Sequence, residues 1–173
     1  MYDIYSQSND DRLRFTLGLR GDKMLYVVGL NPSTATQEKS DTTVAKVQVV
    51  ARQAGYTGFA MLNLYPVRAT DFKTLPTIAD KNAIDSNLAA IEHLLAQEQT
   101  PTIWAAWGQS ILARPYFRSS AKAIANQLAA HNPRWVNFGA LTADRHPRHP
   151  SRLSYSWSFS EFALTEYVAR IDA

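Results

Sequence analysis

The stretch Met24-Leu25-Tyr26-Val27-Val28-Gly29-Leu30-Asn31-Pro32-Ser33-Thr34 decides the fold. It opens with a short, unbroken apolar run, the mark of a strand buried in the interior of a sheet. Asn31-Pro32 then turns the chain into a polar loop. In an open α/β sheet, loops at the carboxyl ends of the strands converge on one crevice, where ligands bind. The rest of the chain is therefore read for further strands of this kind, for the helices between them, and for polar residues at the strand ends.

Arg12-Leu13-Arg14-Phe15-Thr16-Leu17 alternates polar and apolar residues, the pattern of a half-buried strand, and Gly21-Asp22 turns it toward the strand at 23–29. Together the two read as an N-terminal β-hairpin. Asp41-Thr42-Thr43 caps a helix running to about Gln53, with Gly55 as its stop. Phe59-Ala60-Met61-Leu62-Asn63-Leu64 is the next strand, apolar except for Asn63, and a loop with Pro66, Arg68 and Thr70 follows. Residues 78–97 are helical, and Ile103-Trp104-Ala105-Ala106-Trp107 is a third buried strand ended by Gly108. Another helix lies between Ile111 and Ala130, its start limited by Pro115. Arg134–Phe138 reads as the last strand, 139–157 as loop, and 158–170 as a C-terminal helix. This alternation predicts an α/β class: a three-layer α/β/α domain spanning 1–173, with a mostly parallel central sheet of about four strands plus the hairpin.

With 46% apolar and 19% charged residues, the chain has the composition of a globular protein rather than a disordered one. No apolar run approaches the ~20 residues needed to cross a bilayer. The N-terminal Met1-Tyr2-Asp3-Ile4 lacks the basic start and apolar stretch of a secretion signal. The absence of cysteine excludes disulfides, a thiolate nucleophile and an iron–sulfur cluster. A cytoplasmic protein without membrane association is expected. Net charge is only +3 but is skewed: residues 101–173 carry 8 basic and 4 acidic side chains, against 10 and 11 in residues 1–100. Such a skew marks either a phosphate-facing surface or a solvated basic one.

The candidate chemistry sits at the strand ends. Asn31 can orient a water or hold a polar ligand edge, although Asn-Pro is also a common turn pair. Asn63, a primary amide in an apolar strand, offers a donor and an acceptor matching the edge of a nucleobase, or is satisfied by neighbouring backbone. The segment Asp144-Arg145-His146-Pro147-Arg148-His149-Pro150-Ser151-Arg152 gathers imidazoles that can donate to a developing anion. Its Arg148, Ser151 and Arg152 suit phosphate oxygens. Asp41 is a candidate base as well as a helix cap, and His146 a second candidate imidazole. Pro147 interrupts any helix between the histidines and no cysteine or carboxylate cluster accompanies them, so neither a metal nor a cofactor is expected. Leu153 is a loop leucine of the kind that can wedge into a stacked duplex, or be partly buried. Trp104 and Trp107 read as packing.

Four landmarks fall in order along the chain: Gly29-Leu30-Asn31-Pro32, Leu62-Asn63, Trp107-Gly108 and His149-Pro150-Ser151-Arg152-Leu153-Ser154. The ordered set resembles the signature of the uracil-DNA glycosylase superfamily. The chain is also similar to a bacterial and phage family of unknown function, which carries Gly-Leu-Asn-Pro-Ser-Thr-Ala, Asp-x-Thr, Asn-Leu, Ala-Trp-Gly and Pro-x-His-Pro. Here those motifs are Gly29–Ala35, Asp41 with Thr43, Asn63-Leu64, Ala106–Gly108 and Pro147–Pro150. The glycosylase resemblance implies hydrolysis of an N-glycosidic bond of a flipped base in DNA. It gives Asn31 and His149 catalytic roles, Asn63 and Ser33 the base, Ser151 a phosphate and Leu153 the gap left in the duplex. Ser33 stands where the uracil-specific enzymes place an aromatic ring, and Asn31 where many place an aspartate. An amide cannot accept a proton at neutral pH, so Asn31 would orient water rather than deprotonate it. The expected partner is nucleic acid, DNA before RNA, or a nucleotide. The competing readings are a non-catalytic nucleic-acid-binding module and an enzyme of free nucleosides or nucleotides.

Overall fold

In the computed structural model, which describes residues 1–172, the run beginning at Met24 forms β3 (Met24–Gly29). The other strands are β1 (Ile4–Gln7), β2 (Arg14–Leu19), β4 (Gly58–Asn63), β5 (Thr102–Ala105), β6 (Arg134–Phe138) and β7 (Phe159–Glu161). The helices are α1 (Thr42–Gln53), α2 (Lys81–Leu95), α3 (Pro115–Leu128) and α4 (Leu164–Ile171). All seven strands form one sheet of order β1-β2-β4-β3-β5-β6-β7.

β3 is buried on both faces, as its sequence predicts. Leu25 and Val27 pack into the layer of α1, against Val44, Val47 and Val50. Tyr26 and Val28 pack into the opposite layer, with Ile91 and Leu95 of α2, Ile124 and Leu128 of α3 and Tyr167 of α4. Each fully buried side chain of this size contributes about 1.5–3 kcal/mol relative to exposure. The helix starts follow local chemistry. Asp41 caps α1 through Val44 N at 2.9 Å, Asp80 caps α2, and Pro115 occupies the first turn of α3, where its missing N–H costs nothing.

The fold differs from expectation in four ways. The sheet has seven strands rather than about four plus a hairpin, and it is mixed rather than mostly parallel. β4–β3, β3–β5 and β5–β6 are parallel, whereas β1–β2, β2–β4 and β6–β7 are antiparallel. The N-terminal hairpin is formed by β1 and β2, because β4 lies between β2 and β3. At the Gly21 turn, Thr57 N donates to Lys23 O at 3.0 Å, and a Cβ on Gly21 would collide with the Thr57–Gly58 backbone. Only glycine lets the incoming strand pass that close. Finally, residues 158–170 are not one helix: β7 precedes α4 and pairs with β6.

The burial of β2 does not alternate as its sequence suggests: the polar residues Arg14 and Thr16 are buried along with Leu17, while Phe15, and Leu13 just before the strand, are half-buried. No helix among the described residues is long and apolar enough to cross a membrane.

Candidate functional site

The parallel strands β4, β3, β5 and β6 all end on one side of the molecule. From β3 the chain passes through α1 to β4 on one flank, then through α2 to β5 on the other. β3 is thus the point where the winding reverses, and a crevice is expected beyond its carboxyl end. A cleft of about 770 Å³ occupies that position. This is within the range of roughly 300–1,000 Å³ typical of small-ligand sites. Asn31, Ser33, Asp41, Asn63, Arg148, His149, Ser151 and Arg152 all line it.

Asn63 is the last residue of β4 and pairs in register with Gly29. A Cβ at Gly29 would approach Asn63 Oδ1 to 3.1 Å, so the glycine clears room for the carboxamide. The residue is 1% exposed. Its backbone carbonyl accepts from Asn87 Nδ2 of α2 at 2.8 Å, which fixes the strand end. Its own Nδ2 is buried with no partner. A buried unpaired donor of this kind costs about 1–3 kcal/mol.

Asn31 donates from Nδ2 to two carbonyls, Pro32 O at 3.0 Å and Ala69 O at 2.9 Å. Two acceptor neighbours define the orientation of the amide and leave Oδ1 as its free polar atom. Asn31 therefore also ties its loop to the one after β4. Asp41 is committed to backbone N–H groups through both oxygens, Val44 N at 2.9 Å and Ala35 N at 3.2 Å. The cap reading thus describes its contacts.

His149 opens a short 3-10 turn, Pro150–Arg152, and its Nδ1 accepts from Ser151 N at 3.1 Å. A backbone N–H only donates, so the neutral ring carries its proton on Nε2. Ser151 Oγ also lies 2.9 Å from Nδ1. Burial pushes the imidazole below its ordinary value, against the opposing pull of the Asp41 carboxylate. Gly108 makes the close approach of this loop feasible: its φ is +73°, and a Cβ there would meet His149 Cβ at 3.1 Å. Arg148 donates from Nε to Ala140 O at 2.8 Å and lies over the Trp157 ring. Arg152 is exposed at the rim.

Two candidates lie elsewhere. Leu153 is half-buried against the core layer of α1 and does not line the cleft. His146 is 2% exposed, with Nδ1 2.9 Å from the Tyr167 hydroxyl. Trp107 Nε1 donates to that same hydroxyl at 3.1 Å. His146 thus belongs to a buried network behind Trp107, which itself faces the cleft. Two further residues shape the site without a local sequence signal. Asn87 supports Asn63 from a helix interior. Arg14, 2% exposed, reaches the cleft from β2.

The two histidines predict a pH dependence. Burial lowers both, with Arg170 adding to the effect at His146 and Asp144 opposing it. Below the ordinary value of 6.5 the unfolded chain therefore binds more protons than the folded one. Stability falls as pH drops from 6.5 toward the lower folded values, and is fully present above that window. Urea midpoints at about pH 7.5 and about pH 5.5 check this, and the difference shrinks in His146→Gln.

No curated protein and no solved structure matches the chain. A family model, described as "Protein of unknown function (DUF1643)", matches residues 14–151. That span runs from Arg14 to Ser151 and so takes in every cleft-lining side chain but Arg152, while β1, β7 and α4 fall outside it. The part of the chain that builds the cleft is therefore the part that assigns it: this protein belongs to the DUF1643 family.

Proposed function

We propose that the cleft recognises a nucleobase and cleaves its N-glycosidic bond, in the manner of the uracil-DNA glycosylases that the motif order resembles. The observation that carries this reading is the unpartnered Nδ2 of buried Asn63, a residue that lines the cleft. A base carbonyl supplies the missing acceptor. In the same cleft, the Nε2–H of a neutral His149 is a donor for the oxygen on which negative charge grows as the base departs. Asn31 Oδ1 accepts from the attacking water and orients it. The C1′–N bond breaks with its electron pair going to the base, and the water oxygen bonds to C1′. Its proton passes to solvent, since an amide cannot hold it.

A free nucleoside or nucleotide is the second reading of the substrate, against a base flipped from duplex DNA. The placement of Leu153 favours it: half-buried against the core, that side chain is not extended toward a duplex.

The test is base release in single turnover from nucleosides, nucleotides and oligonucleotides bearing uracil, hypoxanthine or mismatches. Release that vanishes in Asn63→Leu is the expected result. The same variant is expected to unfold at a higher urea concentration, because it removes an orphan donor worth about 1–3 kcal/mol. Absence of both base release and nucleoside binding in the wild type would end the proposal.

A further inference from the structure

We propose that Arg14 anchors a phosphate inside the cleft, so that the ligand is a nucleotide unit with its base at Asn63 and its phosphate at Arg14. This rests on the nucleobase reading above for the base, but not for the anion. Arg14 is 98% buried, and a guanidinium that deep normally faces a carboxylate. No carboxylate lies within ion-pair distance of it among the described residues. Nη1 donates to Ala35 O at 3.1 Å, and Nε is buried without any partner. The side chain lines the same cleft as Asn63 and His149.

The surroundings heighten the deficit. Arg68 donates to the same Ala35 carbonyl at 2.8 Å, which brings a second guanidinium beside the first. Arg68 has its own counter-ion, Asp11, at 3.0 Å, and Arg14 does not. Burial and Arg68 together pull the Arg14 guanidinium down to about 10 against the opposing attraction of the Asp41 carboxylate, an arrangement that an incoming anion relieves. Among the described residues Asp41 is the one carboxylate lining the cleft, and its two oxygens are held by backbone N–H groups, one at the start of α1 (Val44) and one in the loop after β3 (Ala35). Thr42 and Thr43, the first residues of that helix, line the cleft, where the helix dipole favours negative charge. The Arg14 fork suits two phosphate oxygens at once. Arg152 differs in being exposed at the rim, where charge is screened by water and salt.

Calorimetric titration of the full chain with a nucleoside, its 5′- and 3′-monophosphates, a dinucleotide with only an internal phosphodiester, and inorganic phosphate tests this. A monophosphate is expected to bind roughly 10–100-fold more tightly than the nucleoside. That gain disappears in Arg14→Gln with nucleoside affinity unchanged, and survives in Arg152→Gln. A monophosphate that outbinds the dinucleotide identifies a terminal phosphate; equal affinities identify a backbone phosphate; both support the anchor. The anchor is overturned if the phosphate brings no gain, or if the gain survives Arg14→Gln. Arg14-dependent binding of inorganic phosphate without nucleoside binding leaves the anchor standing and removes the nucleobase reading. If Arg14→Gln does not fold, the wild type decides through its thermal midpoint at low-millimolar phosphate against chloride at equal ionic strength, a concentration too low for the general stabilising effect of phosphate salts. A rise supports the anchor and no rise refutes it. In that event Arg14→Lys, which keeps the charge and loses the fork, is expected to bind with intermediate affinity.

Discussion

His149→Ala is expected to slow base release by about 10²–10³-fold, the usual consequence of removing one donor to a developing oxyanion. The loss falls mainly on kcat. In the proposed reaction the Nε2–H bond to the base oxygen strengthens as the glycosidic bond stretches, so it would contribute more to the transition state than to binding. His149→Gln restores part of the rate if its amide reaches the same oxygen, whereas a residue that only shaped the loop would not show rescue by a donor. The Ser151 contact matters here. Because its backbone N–H occupies Nδ1, the proton of the neutral ring is committed to Nε2, which is the tautomer the proposed reaction requires. Single-turnover kinetics over a range of substrate concentrations separate the two parameters. An unchanged rate in His149→Ala would remove the imidazole from the mechanism.

Trp104→Ala is expected to cost about 3–5 kcal/mol, the range for emptying a large aromatic site in a core. A domain of this size has roughly 5–15 kcal/mol to lose, so the variant stands near the edge of folding. Trp104 is 1% exposed in the third buried strand, with Phe159 at 5.2 Å and Phe138 at 5.4 Å between ring centroids. Trp104→Phe costs far less, because the indole Nε1 it deletes is itself buried without a partner. Urea denaturation of the two variants checks the contrast. A comparable loss in both would mean that the indole ring, and not aromatic bulk, holds these layers together.

The legibility of the fold tracked how far each element depends on distant parts of the chain. β3 and β4 are runs of consecutive buried residues, and Asp41 and Asp80 are caps whose effect is local; such features leave a mark on sequence. β1 and β7 are short edge strands, and three residues such as Phe159–Glu161 carry no period to read. Much of the cleft was legible for a related reason. A lone amide in an apolar strand, as at Asn63, contradicts its surroundings, Asn31 sits just past the end of β3, and His149 stands in a polar loop dense in arginine and histidine after β6. Arg14 was invisible because a charged residue on an alternating strand is ordinarily the solvent-facing one. It is buried here by a loop, through the carbonyl of Ala35, and its backbone N–H is taken by Pro66 O beyond the end of β4, contacts that sequence spacing does not name. Asn87 fails in the same way: its carboxamide touches Asn63 across 24 positions of chain.

The passage of β4 between two strands that precede it has a bearing on biosynthesis. During translation β2 and β3 leave the ribosome first, and their facing edges have no partner until a later segment has been made and threaded between them. For that interval the nascent chain displays two open rows of amide and carbonyl groups. Non-local pairing of this sort slows folding and leaves time for edge-to-edge association. Chaperone demand and inclusion-body formation should accordingly follow the arrival of residues 58–63, whatever the cleft goes on to bind.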